Sequence, residues 1–196
     1  MLQQLLELIF PAQCGGCDET GTGACERCLP SGRAHDFSLP TLRVTALGCY
    51  DGEVRRAVLA LKKGRRDVAR AFGERLSHLV LPGEALIPVP TTRARRRERG
   101  FDGCESIARE AARRSGAHAI CGLVQIAGDK QRGRGREARL AAHGRFLWSG
   151  AGLSGKTVTL LDDVVTTGAT LEDCARALRA AGARVERAIA IAAVRR

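Results

Sequence analysis

Two periods of apolar residues alternate along the chain. Short runs rich in Val, Leu, Ile and Ala occupy 42–50, 85–89, 121–126, 157–161 and 185–194, and each predicts a strand. Between them, 53–63 places Val54, Val58 and Leu61 at helical spacing, and 67–79 continues as a second helix. Asp102 with Glu105 three residues on matches a capping box that opens a helix to about Arg114. A further helix over 171–181 ends before Gly182, at a C′ position. Strands alternating with helices predict an α/β fold with a parallel sheet flanked by helices. Two stretches carry no apolar period. Residues 32–40 are polar with Gly, Ser and Pro and read as a linker; 128–144 are polar and rich in Arg and Gly. The layout predicts an N-terminal module over 1–40 and a main domain over 41–196, without internal repeats.

Within 1–10, Leu2, Leu5, Leu6 and Ile9 fall on one helical face, which predicts a short amphipathic helix docking on the body. This segment lacks a positively charged start and carries Glu7 inside a short apolar run, unlike a secretory signal. No stretch approaches the ~20 apolar residues of a membrane span. The expectation is a cytoplasmic protein without membrane insertion.

Composition narrows the partners. Apolar residues make up 44% of the 196 positions and charged ones 27%, which excludes a disordered tail. The net charge is +11, and 28 of the 32 basic residues are Arg. An excess of base over acid points to a polyanionic partner, nucleic acid or a phosphorylated small molecule, or to a solvated basic surface.

Cys14-Gly-Gly-Cys17 and Cys25-Glu-Arg-Cys28 form two C-x2-C pairs seven residues apart. Four thiolates close a tetrahedron of the kind Zn²⁺ takes in structural sites. A redox dithiol or two disulfides are the alternatives; a second pair close by favours a metal, and a reducing cytoplasm disfavours disulfides. Cys49, Cys104, Cys121 and Cys174 are scattered and read as small buried residues.

Residues 150–157 fit the phosphate-loop pattern G-x4-G-K-[ST] letter for letter. That loop needs a helix immediately after it, and the next residues, Val158-Thr-Leu-Leu161, read as a strand. Ser154-Gly155-Lys156 is therefore a turn entering the strand. The chemistry follows it. Asp162 and Asp163 close an apolar strand, and Thr166, Thr167, Gly168, Ala169 and Thr170 lead into a helix. Ligands bind at the carboxyl ends of strands in open α/β sheets. Two carboxylates there accept hydrogen bonds from a vicinal diol or act through Mg²⁺. Hydroxyls, a glycine and a helix N-terminus suit a phosphate. A diol beside a monophosphate describes a ribose 5-phosphate.

This segment is similar to the thirteen-residue phosphoribosyl-pyrophosphate (PRPP) motif of type I phosphoribosyltransferases. With the four-cysteine module, Tyr50-Asp-Gly, Leu61-Lys62, Pro88-Val89-Pro90, Arg99-Gly-Phe101 and Gln131 in the same order, the chain resembles the ComF family of competence proteins over nearly its whole length. The resemblance implies that Asp162 and Asp163 hold the ribose hydroxyls and that residues 166–170 cradle the 5-phosphate. It places Val89, Pro90 and Thr91 in the pyrophosphate loop. It makes 128–144 a lid, with Gln131, Arg136 and Arg139 as candidates to meet phosphate oxygens. Thr166 stands where purine-base members usually carry an Asp, which disfavours a purine acceptor. Asp102-Gly103 follows Phe101 where the family reads Asn-Gln, and Ala141 replaces an Asn common near the end of the lid. No general base is evident.

Two functions follow. One is a Mg²⁺-dependent phosphoribosyltransferase acting on an unidentified acceptor. The other is a single-stranded-DNA-binding protein of natural transformation, in contact with DNA-uptake proteins, with PRPP as regulator or vestigial ligand. Arg93, Arg95, Arg96, Arg97 and Arg99 are the nucleic-acid candidates. Aromatic residues make up only 4%, too few for a base-stacking platform, so backbone contact through Arg is the expected mode. Oligomeric state is not encoded in these patterns.

Overall fold

The computed structural model describes residues 11–29, 34–126 and 145–194. The expected helix over 1–10 and the lid candidates Gln131, Arg136 and Arg139 lie outside them. Eight strands and five α-helices are described. In chain order they are β1 (His35–Ser38), β2 (Arg43–Cys49), α1 (Gly52–Lys62), α2 (Arg66–Leu76), β3 (Ala85–Pro88), α3 (Arg93–Arg99), α4 (Gly103–Ser115), β4 (His118–Ala119), β5 (Leu123–Gln125), β6 (Phe146–Trp148), β7 (Thr157–Val165), α5 (Ala169–Ala180) and β8 (Arg184–Ala193). None of these helices is long and apolar enough to cross a membrane.

Six strands form one sheet in the order β1-β2-β8-β7-β3-β4. All neighbours are parallel except β1, which runs antiparallel to β2. Side chains alternate across the sheet with period two, so the central strands β2, β8, β7 and β3 feed two cores. Leu47, Leu86, Leu161, Ile189 and Ile191 pack beneath α1, α2 and α4. Val44, Ala46, Ile87, Leu160, Ala188 and Ala190 pack with α5 on the opposite face. The α/β fold, with a mostly parallel sheet between helices, is thus the observed architecture.

Helix ends follow local chemistry. Thr92 Oγ1 accepts the Arg95 N–H at 3.2 Å and opens α3, while Gly100 closes it at φ 73°. Asp102 Oδ1 accepts the Glu105 N–H at 3.2 Å and opens α4. The Glu105 carboxylate turns away from the cap to meet Arg109 at 2.7 Å and Arg96 at 3.3 Å, so only half of the expected capping box forms. At the end of α5, the Gly182 and Ala183 N–H groups reach Arg179 O and Leu178 O, the Schellman pattern expected of a glycine at C′.

Three segments depart from the sequence pattern. The polar 32–40 stretch contains β1, which adds an edge strand to the main sheet through Asp36↔Thr45 and Phe37↔Val44. An edge strand needs only one inward side chain, here Phe37, so alternation over four residues is too short to stand out. The run at 121–126 contains β5, but it joins β6 in a separate antiparallel ribbon. The ribbon's Trp148 is half-buried, gives its indole N–H to Ala151 O at 2.8 Å, and lies so close over Gly122 and Gly150 that a Cβ on either would come within 2.7 and 2.5 Å of the ring. The third departure is α3, which has no apolar stripe. The phosphate-loop lookalike behaves as expected, with Thr157 already in β7 and no helix after it.

The cysteine module is joined to the main body. Ala24 and Leu29 belong to the same core as α1 and α2. Gly15 sits against Ala57 and Ala60, and Gly23 against the Asp67 backbone, where even a methyl group would overlap. Arg56 Nε donates to Gly16 O at 2.6 Å, and Arg65 donates to Gln13 O.

Candidate functional site

From β3 the chain steps outward to β4; from β7 it steps the other way to β8. The crevice at the carboxyl ends of β3 and β7 is therefore the switch point where open α/β sheets bind ligands. A cleft of about 310 Å³ opens there. Its floor is the end of β7 with Asp162, Asp163 and Val164. One side is the loop Val89-Pro90-Thr91-Thr92 with Arg95 and Arg99 of α3. The other is the ribbon, with Gln125, Arg145 and Phe146.

Asp162 is 8% exposed. Its Oδ1 accepts the Asp163 N–H at 2.8 Å and faces the Cys104 thiol at 3.8 Å. Burial, and then the charge of Asp163, push its carboxyl up to about 8. Cys104 is pushed well up by burial and by the two carboxylates, so it stays a thiol and donates. Asp163 pairs with Lys62 Nζ at 3.3 Å, at the last turn of α1. Asp102 is 6% exposed. Besides capping α4, its Oδ2 accepts the Thr91 N–H at 2.9 Å and ties the β3 loop to α4.

The sequence candidates separate by location. Asp162, Asp163, Thr170, Val89, Pro90, Thr91, Arg95 and Arg99 all line the cleft. Thr166, Thr167 and Ala169 are exposed beside it. Gly168 is buried, caps α5 at φ 81°, and packs on Leu39. Arg93, Arg96 and Arg97 lie outside the cleft, exposed on α3. Sequence reasoning assigned no site role to Lys62, Asp102, Cys104 or Arg145. Lys62 had stood out only as part of a resemblance, and Asp102 only as a cap.

The second cluster is Cys14, Cys17, Cys25 and Cys28, whose sulfurs all lie within 4.8 Å of one another. Cys17 and Cys25 Sγ are 3.6 Å apart. A ZnS₄ tetrahedron with bonds of about 2.3 Å has edges of about 3.8 Å, so this donor set fits a zinc-sized ion. Cys14 Sγ accepts two backbone N–H groups, from Gly16 at 3.4 Å and Cys25 at 3.3 Å. The Glu19 backbone N–H and Arg27 hold Cys17 down to about 6, while burial pushes Cys25 and Cys28 up. A bound cation offsets that burial cost.

No family model matches the chain. In structure, 67% of it superposes on 30% of an allosteric regulatory enzyme of purine biosynthesis, with a TM-score of 0.50 and 18% identity. This match shows a shared fold, an open and mostly parallel α/β sheet with its cleft at the β3–β7 switch point. In sequence, the chain is 33% identical over 93 residues to competence protein ComFC of Bacillus subtilis (strain 168), covering 47% of this chain and 37% of that protein. It is 52% identical over 40 residues to an orotate phosphoribosyltransferase of a Nocardioides species, covering 20% of this chain and 22% of that protein. The matches thus span 37% and 22% of the two curated relatives' own lengths. Over these stretches the chain is similar to ComFC and to a phosphoribosyltransferase.

Proposed function

We propose that the protein binds PRPP with Mg²⁺ and transfers phosphoribose to an acceptor, in the setting of competence that the ComFC likeness suggests. The observation that carries this reading is one cleft flanked by the Asp162-Asp163 pair and, across it, the Val89–Thr91 loop. Its volume lies in the ~300–1,000 Å³ range of small-molecule sites. In this reading the two carboxylates accept hydrogen bonds from the ribose 2- and 3-hydroxyls. Residues 166–170 and the N-terminus of α5 receive the 5-phosphate, helped by the helix dipole. Lys62, Arg95 and Arg99 face the pyrophosphate and stabilise the charge that leaves C1. Mg²⁺, when bound, neutralises part of that charge. Zn²⁺ at the four cysteines is structural in this reading, since four thiolates leave no open position.

Calorimetric titration of Mg²⁺-PRPP into zinc-loaded protein tests the site. Micromolar binding is expected, lost in the Asp162→Ala/Asp163→Ala variant with zinc content unchanged. Binding retained by that variant refutes the assignment.

The exposed arginines of α3 favour a second activity, contact with single-stranded DNA through phosphates. Affinity should then fall steeply with salt. Neutralising Arg95, Arg96 and Arg97 should flatten that slope by about two to three charges; an unchanged slope removes α3 from the DNA surface.

A further inference from the structure

The ribbon wall of the cleft differs in chemistry from the other two. In an antiparallel pair, directly opposed residues share a face. Gln125 and Phe146 are opposed and line the cleft, while the next pair, Val124 and Leu147, points outward and is exposed. The ladder continues one step further through the Ile126 N–H and Arg145 O at 2.8 Å. The Arg145 side chain is then held from two sides. Its Nε binds Asp173 of α5 at 2.6 Å, and its Cζ stands 6.0 Å from the Phe146 ring centroid. This wall therefore brings an amide, a fixed guanidinium and an aromatic ring to the cleft, and among the described lining residues it brings no carboxylate.

Among the described residues, the carboxylates that line the cleft are all engaged. Asp102 accepts two backbone N–H groups. Asp163 pairs with Lys62, and Asp162 accepts the Asp163 N–H and faces the Cys104 thiol. Under the phosphoribosyl reading, on which this inference rests, the Asp162-Asp163 pair is also taken by the ribose. Transfer forms a bond between C1 and an acceptor nitrogen and breaks the bond from C1 to pyrophosphate oxygen, the pyrophosphate leaving with the electron pair. An acceptor that attacks through a neutral N–H must also lose a proton, and no carboxylate among the described lining residues is free to take it. An acceptor whose ring nitrogen arrives ionised, or with an open lone pair, loses none.

We infer that the Gln125–Arg145–Phe146 wall is the acceptor subsite and that it takes a planar, anionic nitrogen heterocycle, such as a ring carboxylate or an ionised imide. Arg145 pairs with the negative charge, Phe146 packs against the ring, and Gln125 reads a polar edge. Charged partners at this one point discriminate by about 10- to 100-fold.

The test measures PRPP binding by calorimetry and, separately, pyrophosphate release in the presence of PRPP and Mg²⁺. The probes are orotate, nicotinate and quinolinate against uncharged nicotinamide, adenine and hypoxanthine. The expected result is pyrophosphate release with at least one acid and an advantage of tenfold or more over the uncharged set. Arg145→Gln should cut kcat/KM for that acid by about 10- to 100-fold while PRPP affinity stays within about twofold. Arg145 is half exposed, so the variant should fold. Preferential use of an uncharged base overturns the inference, as does Arg145→Gln lowering PRPP affinity and acid use alike. It is also overturned if protein that binds PRPP responds to none of the acids. Failure to bind PRPP at all is a different result, because it removes the phosphoribosyl reading underneath.

Discussion

Replacing Gly168 by alanine imposes two separable penalties on the loop that joins β7 to α5. The residue caps α5 at φ 81° and ψ −4°, a left-handed conformation that costs a Cβ-bearing residue about 1–2 kcal/mol. The new methyl would also stand 2.4 Å from Leu39 Cδ2 and 2.6 Å from Cδ1. Leu39 is 6% exposed within the α5-side core, so it has little room to turn aside, and overpacking there costs about 1–3 kcal/mol. The expected destabilisation is about 2–5 kcal/mol, read as the shift in urea midpoint at constant slope. A double-mutant cycle separates the two penalties. Leu39→Ala alone should cost about 2–5 kcal/mol. Combined with Gly168→Ala it should cost about 1–3 kcal/mol less than the two added, because the overlap vanishes while the backbone penalty stays. PRPP affinity should fall at least about tenfold in Gly168→Ala, since the loop must swing to relieve the overlap. Additivity within about 0.5 kcal/mol would falsify the packing argument. A Gly168→Ala protein as stable as the parent would refute both parts.

Three further outcomes are expected. Asp162 is pushed up to about 8, so a ligand that needs it ionised binds more tightly as pH rises from about 6 to 8.5, by up to about tenfold per unit. Folding responds with the opposite sign: the native state keeps a proton that the unfolded chain releases near pH 4, so stability falls between about pH 4 and 8. Asp162→Asn should flatten both profiles, and persistence of either would show that another group titrates. Gly23→Ala drives a Cβ to 2.4 Å from Asp67 O, a backbone atom that cannot rotate away. It should cost about 3 kcal/mol or more, or detach the cysteine module, visible as protease cleavage near residue 23. Metal analysis should find one zinc per chain, and chelation should lower the melting temperature. Cys14→Ser should abolish retention, and a chain that purifies metal-free with unchanged melting would refute the assignment.

Much of the molecule was legible in sequence where one residue run carries both periodicity and chemistry. The stretch from Val158 to Thr170 is such a run: the buried strand, the acidic pair and the loop into α5 are contiguous, so no tertiary information was needed to associate them. The four cysteines are similar, because their spacing is itself the donor geometry. What was not legible is placed by contacts between distant segments. Lys62 reaches Asp163 only because α1 packs across the carboxyl end of β7. Arg145 reaches the cleft only because β5 and β6 leave the main sheet, which an apolar run cannot foretell. The α3 helix has no hydrophobic stripe and is held by Thr92, Gly100 and the Arg96–Glu105 pair, all signals weaker than periodicity. For β1, four residues with one inward side chain give alternation too little length to register.

Trp148 is the only tryptophan in the chain. It stands at the base of the ribbon that presents Gln125 and Phe146, pressed over Gly122 and Gly150 and anchored through its indole N–H to Ala151 O. Intrinsic indole fluorescence is therefore a single-site optical signal with no background from elsewhere in the fold. A ligand that closes against the ribbon should shift this emission, and metal exchange at the cysteines, packed on the α1–α2 side, should leave it unchanged. Stopped-flow mixing can thus time events on the ribbon wall of the cleft in the unlabelled, unmodified protein.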